Sequence, residues 1–309
     1  MSDSSIFIDG AAGTTGLQIR DRLEGRSGFR LITLDDAQRK DPAAKAQALN
    51  DADVVILCLP DDAARESVAL IRNERTRVID ASTAFRTADD WTYGLPEVIG
   101  RDRVAAARRI SNPGCYPTGF LALVAPLVAT GAIPADALLN CNAVSGYSGG
   151  GKAMIADYEG EGASPSAWNT YALTLAHKHV PEMRKHAGLA HSPIFAPSVA
   201  PLYSGMIVDV PLHIAQLAQG ETTTSLRDRL AAHYAGSPIV SVADHDGATL
   251  PVELMTDTDA LRLFVFGDKD GTQVRLVAAL DNLGKGASGA AVQSLNLLTG
   301  RPETEGLRL

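Results

Sequence analysis

Short, largely apolar runs alternate with polar, alanine-containing stretches through the first third of the chain. Ser5-Ile6-Phe7-Ile8-Asp9, Phe29-Arg30-Leu31-Ile32-Thr33-Leu34, Asp53-Val54-Val55-Ile56-Leu57-Cys58-Leu59-Pro60 and Arg77-Val78-Ile79-Asp80-Ala81-Ser82 read as strands. Successive apolar residues bury both faces of a strand, as in a parallel sheet covered by helices on each side. Residues 17–24 carry Ile19 and Leu23 four apart, with Gly25 as a stop, and residues 61–73 are polar and alanine-rich; both read as helices. This alternation predicts a Rossmann-type, doubly wound α/β domain whose ligands lie beyond the carboxyl ends of its strands.

After Arg109-Ile110-Ser111 the pattern changes. The apolar segment 120–128 has helical length, with Gly131 and Pro134 behind it, and residues 137–144 read as a strand. Pro181 and Gly188 bracket a second helix, Pro181 at its first position. Alternating runs at 205–210, 261–267 and 273–280 read as antiparallel strands, the last two joined by a hairpin turn at Asp268-Lys269-Asp270-Gly271. The second domain is therefore α+β, with a mixed or antiparallel sheet that can also serve as a subunit interface. Residues 281–298 are rich in small side chains and are expected to return, as a close-packed helix, to the first domain. The division expected is residues 1–114 with 283–309 for nucleotide binding, and 115–282 for catalysis, substrate and dimerisation.

The length of 309 residues suffices for two cores. A net charge of −8 argues against nucleic-acid binding, because phosphate contacts need a basic surface. No apolar run approaches the ~20 residues of a membrane span. Met1-Ser2-Asp3-Ser4-Ser5 lacks the basic start and apolar core of a signal peptide, so a cytoplasmic location is expected. Cys58, Cys115 and Cys141 are odd in number and widely spaced, without a CxxC pair, which fits a reducing compartment and no structural zinc.

Candidate chemistry gathers at the strand ends. Gly10-Ala11-Ala12-Gly13-Thr14-Thr15-Gly16 joins the first strand to the first helix as a glycine-rich phosphate cradle, spaced GxxGxxG rather than GxGxxG. Past the second strand, Asp35 and Asp36 suit the ribose hydroxyl of NAD, whereas Arg39 and Lys40 suit the 2′-phosphate of NADP. The two signals oppose each other. Pro60 and Ser82 fall at the ends of the next strands. Cys58 reads as a small core residue, as does Cys141.

Cys115 follows Asn112-Pro113-Gly114 and precedes the apolar helix. A helix N-terminus there favours a thiolate and offers N–H groups to an oxyanion; the alternative is a small buried residue in a turn. Ser145-Gly146-Tyr147-Ser148-Gly149-Gly150-Gly151-Lys152 is either a flexible linker or a set of backbone amides that, with Lys152, receives an anion. His177-Lys178-His179 leads into the helix bearing Glu182 and Arg184. In an extended segment the two imidazoles share a face, which suits acid–base work, a metal site with the nearby Glu182, or two solvated side chains.

Taken together these residues resemble the shorter form of the N-acetyl-γ-glutamyl-phosphate reductases, arginine-biosynthesis relatives of aspartate-semialdehyde dehydrogenase. The resemblance spans nearly the whole chain. It rests on the 10–16 loop, Asp80-Ala81-Ser82, Tyr93-Gly94-Leu95-Pro96-Glu97, Asn112-Pro113-Gly114-Cys115-Tyr116-Pro117-Thr118, Ser145-Gly146-Tyr147-Ser148-Gly149, His177-Lys178-His179-Val180-Pro181-Glu182 and Asp281-Asn282-Leu283-Gly284-Lys285-Gly286-Ala287. It implies a reductase of an acyl phosphate that uses NADP(H) and no metal and assembles as a homodimer or homotetramer. Cys115 would be the nucleophile and His177 and His179 the acid–base pair. Gly10, Gly13, Thr14, Thr15, Gly16, Arg39, Lys40, Pro60, Ser82, Asn282 and Gly284 would meet the cofactor. Ser145, Gly146, Lys152, Glu182, Arg184 and Lys285 would meet the substrate, and inorganic phosphate would leave. Rival readings are the aminoadipyl or aspartyl counterpart of this reaction, since one methylene or an acetyl group leaves little trace in the motifs, and a non-catalytic NADP-binding sensor.

Overall fold

The computed structural model describes residues 3–309, apart from the side chain of Lys40. The strands are β1 (Ser4–Asp9), β2 (Phe29–Ile32), β3 (Val54–Leu57), β4 (Arg77–Asp80), β5 (Thr92–Tyr93), β6 (Arg109–Ser111), β7 (Asn140–Gly146), β8 (Asn169–Thr170), β9 (Ile194–Ala200), β10 (Met206–His213), β11 (Val240–Val242), β12 (Leu261–Gly267) and β13 (Gln273–Leu280). The helices are α1 (Thr14–Leu23), α2 (Pro42–Asp51), α3 (Asp61–Leu70), α4 (Pro96–Ile99), α5 (Arg101–Ala105), α6 (Cys115–Ala129), α7 (Gly151–Glu159), α8 (Val180–Ala187), α9 (Thr223–His233) and α10 (Gly289–Leu298). Two compact units divide them. The first runs to Pro113 and includes Ala287–Leu307; the second is Gly114–Gly286 with Arg308–Leu309. The return crossing thus falls a few residues later than expected from sequence, after Gly286.

In the first unit six parallel strands lie in the order β2-β1-β3-β4-β6-β5. Successive residues of each apolar run go to opposite faces. Ile6, Ile8, Val54, Ile56, Ile79 and Ile110 pack with Ile19 and Leu23 of α1 and Ala291, Leu295 and Leu298 of α10. Phe7, Val55, Leu57 and Val78 pack on the other face with Ala48 and Leu49 of α2 and Ala64 of α3. This two-sided burial is why apolar residues follow one another in these strands without alternation. β2 ends at Ile32, and α3 at Leu70, each short of the reading from sequence.

The second unit holds a mixed seven-stranded sheet, β11-β12-β13-β10-β7-β9-β8. The β12–β13 pair is antiparallel, as expected, whereas β7–β9 and β11–β12 are parallel. α6 is buried from Tyr116 to Leu127 and packs against the sheet, α8 and α9. A helix apolar all round needs such a setting. Gly119 permits the approach: a Cβ there would stand 2.9 Å from Cγ2 of Val208 on β10. Pro126 lies inside α6 and cannot donate to the Ala122 carbonyl one turn back. Tyr234 Oη donates to that carbonyl instead, at 2.7 Å. β7 starts at Asn140, later than expected, because a turn closes with the Ala137 N–H donating to the Pro134 carbonyl.

Candidate active site and nucleotide cavity

Gly10 has φ +87, and a Cβ there would stand 2.3 Å from the Cys58 carbonyl oxygen. A Cβ on Gly16 would stand 2.5 Å from the Gly10 carbonyl oxygen. Only glycine allows this close wrap of loop on strand. α1 then opens at Thr14 and Thr15, with Gly13 as its N-cap and no side-chain cap among the described residues.

Beside the loop lies a cavity of about 340 Å³. Gly10, Ala11, Ala12, Leu34 and Leu59 line it, with Arg20, Arg39 and Lys45 as its cations and Asp9 as its one carboxylate. Neither Asp35 nor Asp36 lines it. Asp35 Oδ1 accepts the N–H groups of Ala37 and Gln38 at 2.9 and 2.8 Å, and Asp36 pairs with Arg39 at 3.2 Å. Lys45 Nζ lies 2.9 Å from Asp9 Oδ2, which also accepts from Ser67 Oγ at 2.9 Å. The Lys40 side chain, a candidate from sequence, lies outside the described residues. Arg20 and Lys45 were not singled out by sequence reasoning, because each reads as an ordinary charge on a helix; Arg20 does fall one helical turn past Gly16, the one signal available.

Pro60 caps the start of α3 and is exposed. Ser82 Oγ donates to Asp80 Oδ2 at 2.7 Å, and both residues are buried. Burial dominates and raises the Asp80 carboxyl to about 6. Burial, aided by the negative charges of Asp80 and Asp9, pushes the Cys58 thiol up to about 12. A thiol so raised is inert, in keeping with a core role. Arg86, also buried, donates from Nε to the Asn112 carbonyl at 3.0 Å, and Asn112 Nδ2 donates to the Ala287 carbonyl at 3.0 Å.

In the second unit α6 begins at Cys115 itself, with Gly114 as N-cap. The helix starts more than a turn before the apolar segment, since Pro117 within its first turn forfeits no intrahelical bond. The Gly114 N–H donates to Glu182 Oε2 at 3.2 Å. Glu182 is buried in the first turn of α8, and its Oε1 lies 4.0 Å from Nε2 of His179. His179 caps α8 and is buried; Pro181 is therefore the second helical residue, not the first. The segment before it is a turn rather than extended, with the Val180 N–H donating to the His177 carbonyl at 3.0 Å and the His179 N–H to His177 Nδ1 at 3.2 Å. The helix is capped early, and the turn folds His177 back. The rings meet edge to face, 4.6 Å between centroids.

Tyr116 packs on His179 at 5.9 Å, and its hydroxyl donates to the Ser198 carbonyl at 3.3 Å while accepting from Tyr171 Oη at 3.1 Å. Tyr171 in turn meets the His177 ring edge to face at 5.7 Å. Burial pushes the Tyr116 hydroxyl up, with further contributions from Tyr171 and Cys115. On another side the Asp281–Gly286 turn closes on the cysteine: a Cβ at Gly286 would stand 2.9 Å from Cys115 Cβ. Asp281 shapes this turn, accepting from Leu283 N–H at 2.8 Å and Asp257 N–H at 2.7 Å. Lys285 within it is buried. Asn282 Nδ2 donates to Ser148 Oγ at 2.9 Å, and its Oδ1 accepts the Gly205 N–H at 2.9 Å. Gly284 packs against Thr258, leaving no room for a side chain.

One expectation needs correcting. The amides of Gly146, Tyr147 and Ser148 donate to the carbonyls of Gly205, Leu202 and Tyr203 at 2.9, 2.9 and 3.1 Å, so they form a second ladder with the chain rather than an open anion cradle. Gly146 has no room for a Cβ beside those carbonyls. Ser145 Oγ donates to the Gly146 carbonyl at 2.9 Å, and Lys152, like Arg184, is exposed. Among the described residues no group of three His, Cys, Asp or Glu side chains is arranged to hold a metal ion, and no helix is long and apolar enough to cross a membrane.

Comparison with known proteins accords with this layout. Residues 5–107 match the semialdehyde dehydrogenase NAD-binding domain, and residues 115–282 match the semialdehyde dehydrogenase dimerisation domain. A protein of Burkholderia ambifaria named N-acetyl-gamma-glutamyl-phosphate reductase is 50% identical over 307 residues, covering 97% of this chain and 98% of its own. One of that name from Rhizobium meliloti is 49% identical over 304 residues, covering 95% and 98%. The chain belongs to the N-acetyl-gamma-glutamyl-phosphate reductase family. The fold of this reductase family extends to more distant proteins. Aspartate semialdehyde dehydrogenase II of Vibrio cholerae, complexed with ASA, superposes with a TM-score of 0.74 at 17% identity, covering 97% of this chain and 99% of the other. The Candida albicans aspartate semialdehyde dehydrogenase with NADP gives 0.66 at 15% identity, covering 96% and 99%.

Proposed function

We propose that this chain reduces N-acetyl-L-glutamyl 5-phosphate to N-acetyl-L-glutamate 5-semialdehyde with NADPH, releasing inorganic phosphate, as a step of arginine biosynthesis. The reaction is taken from near-full-length kinship with reductases of that name. The observation that carries the chemistry is α6 opening at Cys115 while Glu182, beside His179, accepts the N–H of the preceding residue.

The residues act as follows. The Cys115 sulfur attacks the acyl carbon, the C–O bond to phosphate breaks, and a thioester forms. One of His177 and His179 takes the thiol proton. When bound, NADPH supplies the hydride that the thioester carbonyl accepts. The histidine proton then neutralises the oxygen of the resulting thiohemiacetal. It returns to the imidazole as the carbonyl re-forms and the sulfur leaves as thiolate. Backbone N–H groups in the first turn of α6 favour the charge that builds on that oxygen. The Asp281–Gly286 turn, which brings Gly286 against Cys115, would meet the substrate, with Lys285 and Asn282 as its candidate contacts.

For the cofactor, the glycine loop and the uncapped start of α1 suit a pyrophosphate. Arg20, Arg39 and Lys45 in the cavity, with Asp35 and Asp36 outside its lining, support NADP over NAD. Pro60 and Ser82 fall at strand ends of the same unit. Three cysteines without a disulfide among the described residues support a reducing cytoplasm, and the dimerisation-domain match over 115–282 supports a homodimer or homotetramer.

The test is phosphate-dependent reduction of NADP with N-acetylglutamate 5-semialdehyde, run beside NAD and beside the aspartyl and aminoadipyl semialdehydes. Preference for the acetylated substrate with NADP is expected. Equal or better turnover of another semialdehyde would defeat the assignment.

A further inference from the structure

A second cavity, of about 390 Å³, lies wholly in the second unit and has no part in the chemistry above. α7 lines it with Met154, Asp157 and Tyr158, and the opposite wall carries Asn169, Tyr171 and Val199. β8 pairs with β9 at Asn169 and Val199, which joins the two sides of that wall. Tyr158 is held from two directions. It stacks on Tyr147 with 4.5 Å between centroids, and its hydroxyl accepts from Asn169 Nδ2 at 3.2 Å. The amide oxygen of Asn169 is thereby turned to a defined side.

Tyr171 connects this cavity to the reacting thiol. It lines the cavity, and its hydroxyl lies 3.1 Å from that of Tyr116, the residue after Cys115. Burial, with a smaller push from the negative charge of Cys115, raises the Tyr171 hydroxyl to about 12. Tyr171 thus lies between the cavity and Tyr116, the residue that follows the nucleophile.

The lining selects a class of ligand. Among the described residues no lysine, arginine or histidine lines it, and its one charge is the Asp157 carboxylate. A phosphate or carboxylate would be desolvated beside a like charge. What the wall offers is an amide, hydroxyls, and apolar surface from Met154 and Val199. A small neutral amide with a methyl end matches each of these: its N–H can donate to Asn169 Oδ1, its carbonyl can accept from a hydroxyl, and its methyl can pack on Met154.

We propose that this cavity receives the N-acetyl group of the substrate. The inference rests on the function proposed above, whose substrate carries one neutral amide besides two anionic groups. It also supplies the element that tells an acetylated acyl phosphate from its aspartyl and aminoadipyl counterparts, where sequence motifs leave no trace.

The test is steady-state kinetics of phosphate-dependent NADP reduction with N-formyl-, N-acetyl- and N-propionyl-glutamate 5-semialdehyde. Wild type, Asn169→Ala and Met154→Ala are compared, with NADPH binding as a check on folding. Asn169→Ala is expected to raise KM for the acetyl substrate about tenfold with kcat little changed, as loss of one directed hydrogen bond does. Met154→Ala is expected to move the preference from acetyl toward propionyl by about tenfold, the worth of one methylene in a fitted pocket. An unchanged ranking of the three substrates in Met154→Ala, with KM unmoved in Asn169→Ala, overturns the cavity assignment. Wild type inactive on all three substrates overturns instead the function on which it rests.

Discussion

The Gly114 N–H points at the Glu182 carboxylate, 3.2 Å away, and the peptide that makes this bond leads directly into Cys115. Glu182 thus holds the start of α6 with one oxygen while its other lies 4.0 Å from His179. The carboxylate beside the His179 imidazole also holds the residue that precedes the nucleophile. Glu182→Gln keeps the size but removes the charge that strengthens such bonds. It is expected to cut kcat about tenfold or more, and to slow alkylation of Cys115 by iodoacetamide, with NADPH affinity unchanged. Alkylation and turnover at wild-type rates would remove Glu182 from the account.

Cofactor choice follows from which side chains line the nucleotide cavity. Arg20→Gln or Arg39→Gln is expected to raise KM for NADPH about tenfold while leaving KM for NADH within twofold, because only the 2′-phosphate loses a partner. Parallel titrations with the two cofactors check this. An equal rise for both would mean that these cations act on the shared pyrophosphate.

Tyr234 repairs the hydrogen bond that Pro126 removes from α6. Tyr234→Phe leaves the buried Ala122 carbonyl without that donor and is expected to cost about 1–3 kcal/mol, read from urea unfolding. In a Pro126→Ala background the new N–H can reach Ala122, so the same substitution is expected to cost well under half as much. Equal costs in both backgrounds would show that the two residues are independent.

Asp80 carries a pH signature. Its folded value of about 6 exceeds the ordinary 3.8 because burial penalises the carboxylate. Between these values the folded chain binds the proton and the unfolded chain does not, so this group's contribution to stability is fully present below pH 4 and is lost as pH rises through 6. The loss from this group is on the order of 3 kcal/mol. Asp80→Asn should flatten that part of the profile, measured by unfolding at steps from pH 4 to pH 7. An unaltered slope would assign it to other groups.

The first unit was the more legible part of the chain. Apolar runs such as Ile6-Phe7-Ile8 signal burial on both faces, and the helix stop at Gly25 lies just past Leu23, the last residue of α1. The second unit was less so. Tyr116-Pro117-Thr118-Gly119 looks like a turn yet forms the buried first turns of α6. The cysteine and histidine pair stood out as residue types, but the bond that ties Glu182 to Gly114 spans 68 positions, and local patterning carries no such information. For the same reason the Gly146–Ser148 amides seemed available to an anion: their partners at 202–205 come from a distant stretch. Arg20 and Lys45 read as surface charges because nothing in a helix's own sequence tells that a strand end faces it.

In this mechanism the acyl group passes to the Cys115 sulfur before hydride arrives. The direct measurement is a single turnover with excess enzyme, N-acetylglutamyl 5-phosphate and no NADPH, comparing wild type with Cys115→Ser by intact-protein mass spectrometry and phosphate release. Wild type is expected to release one phosphate per active site and gain the mass of the N-acetylglutamyl group on the peptide bearing Cys115. Cys115→Ser is expected to do neither while still binding NADPH. Adduct formation at another residue, or stoichiometric phosphate release by Cys115→Ser at the wild-type rate, would contradict this mechanism.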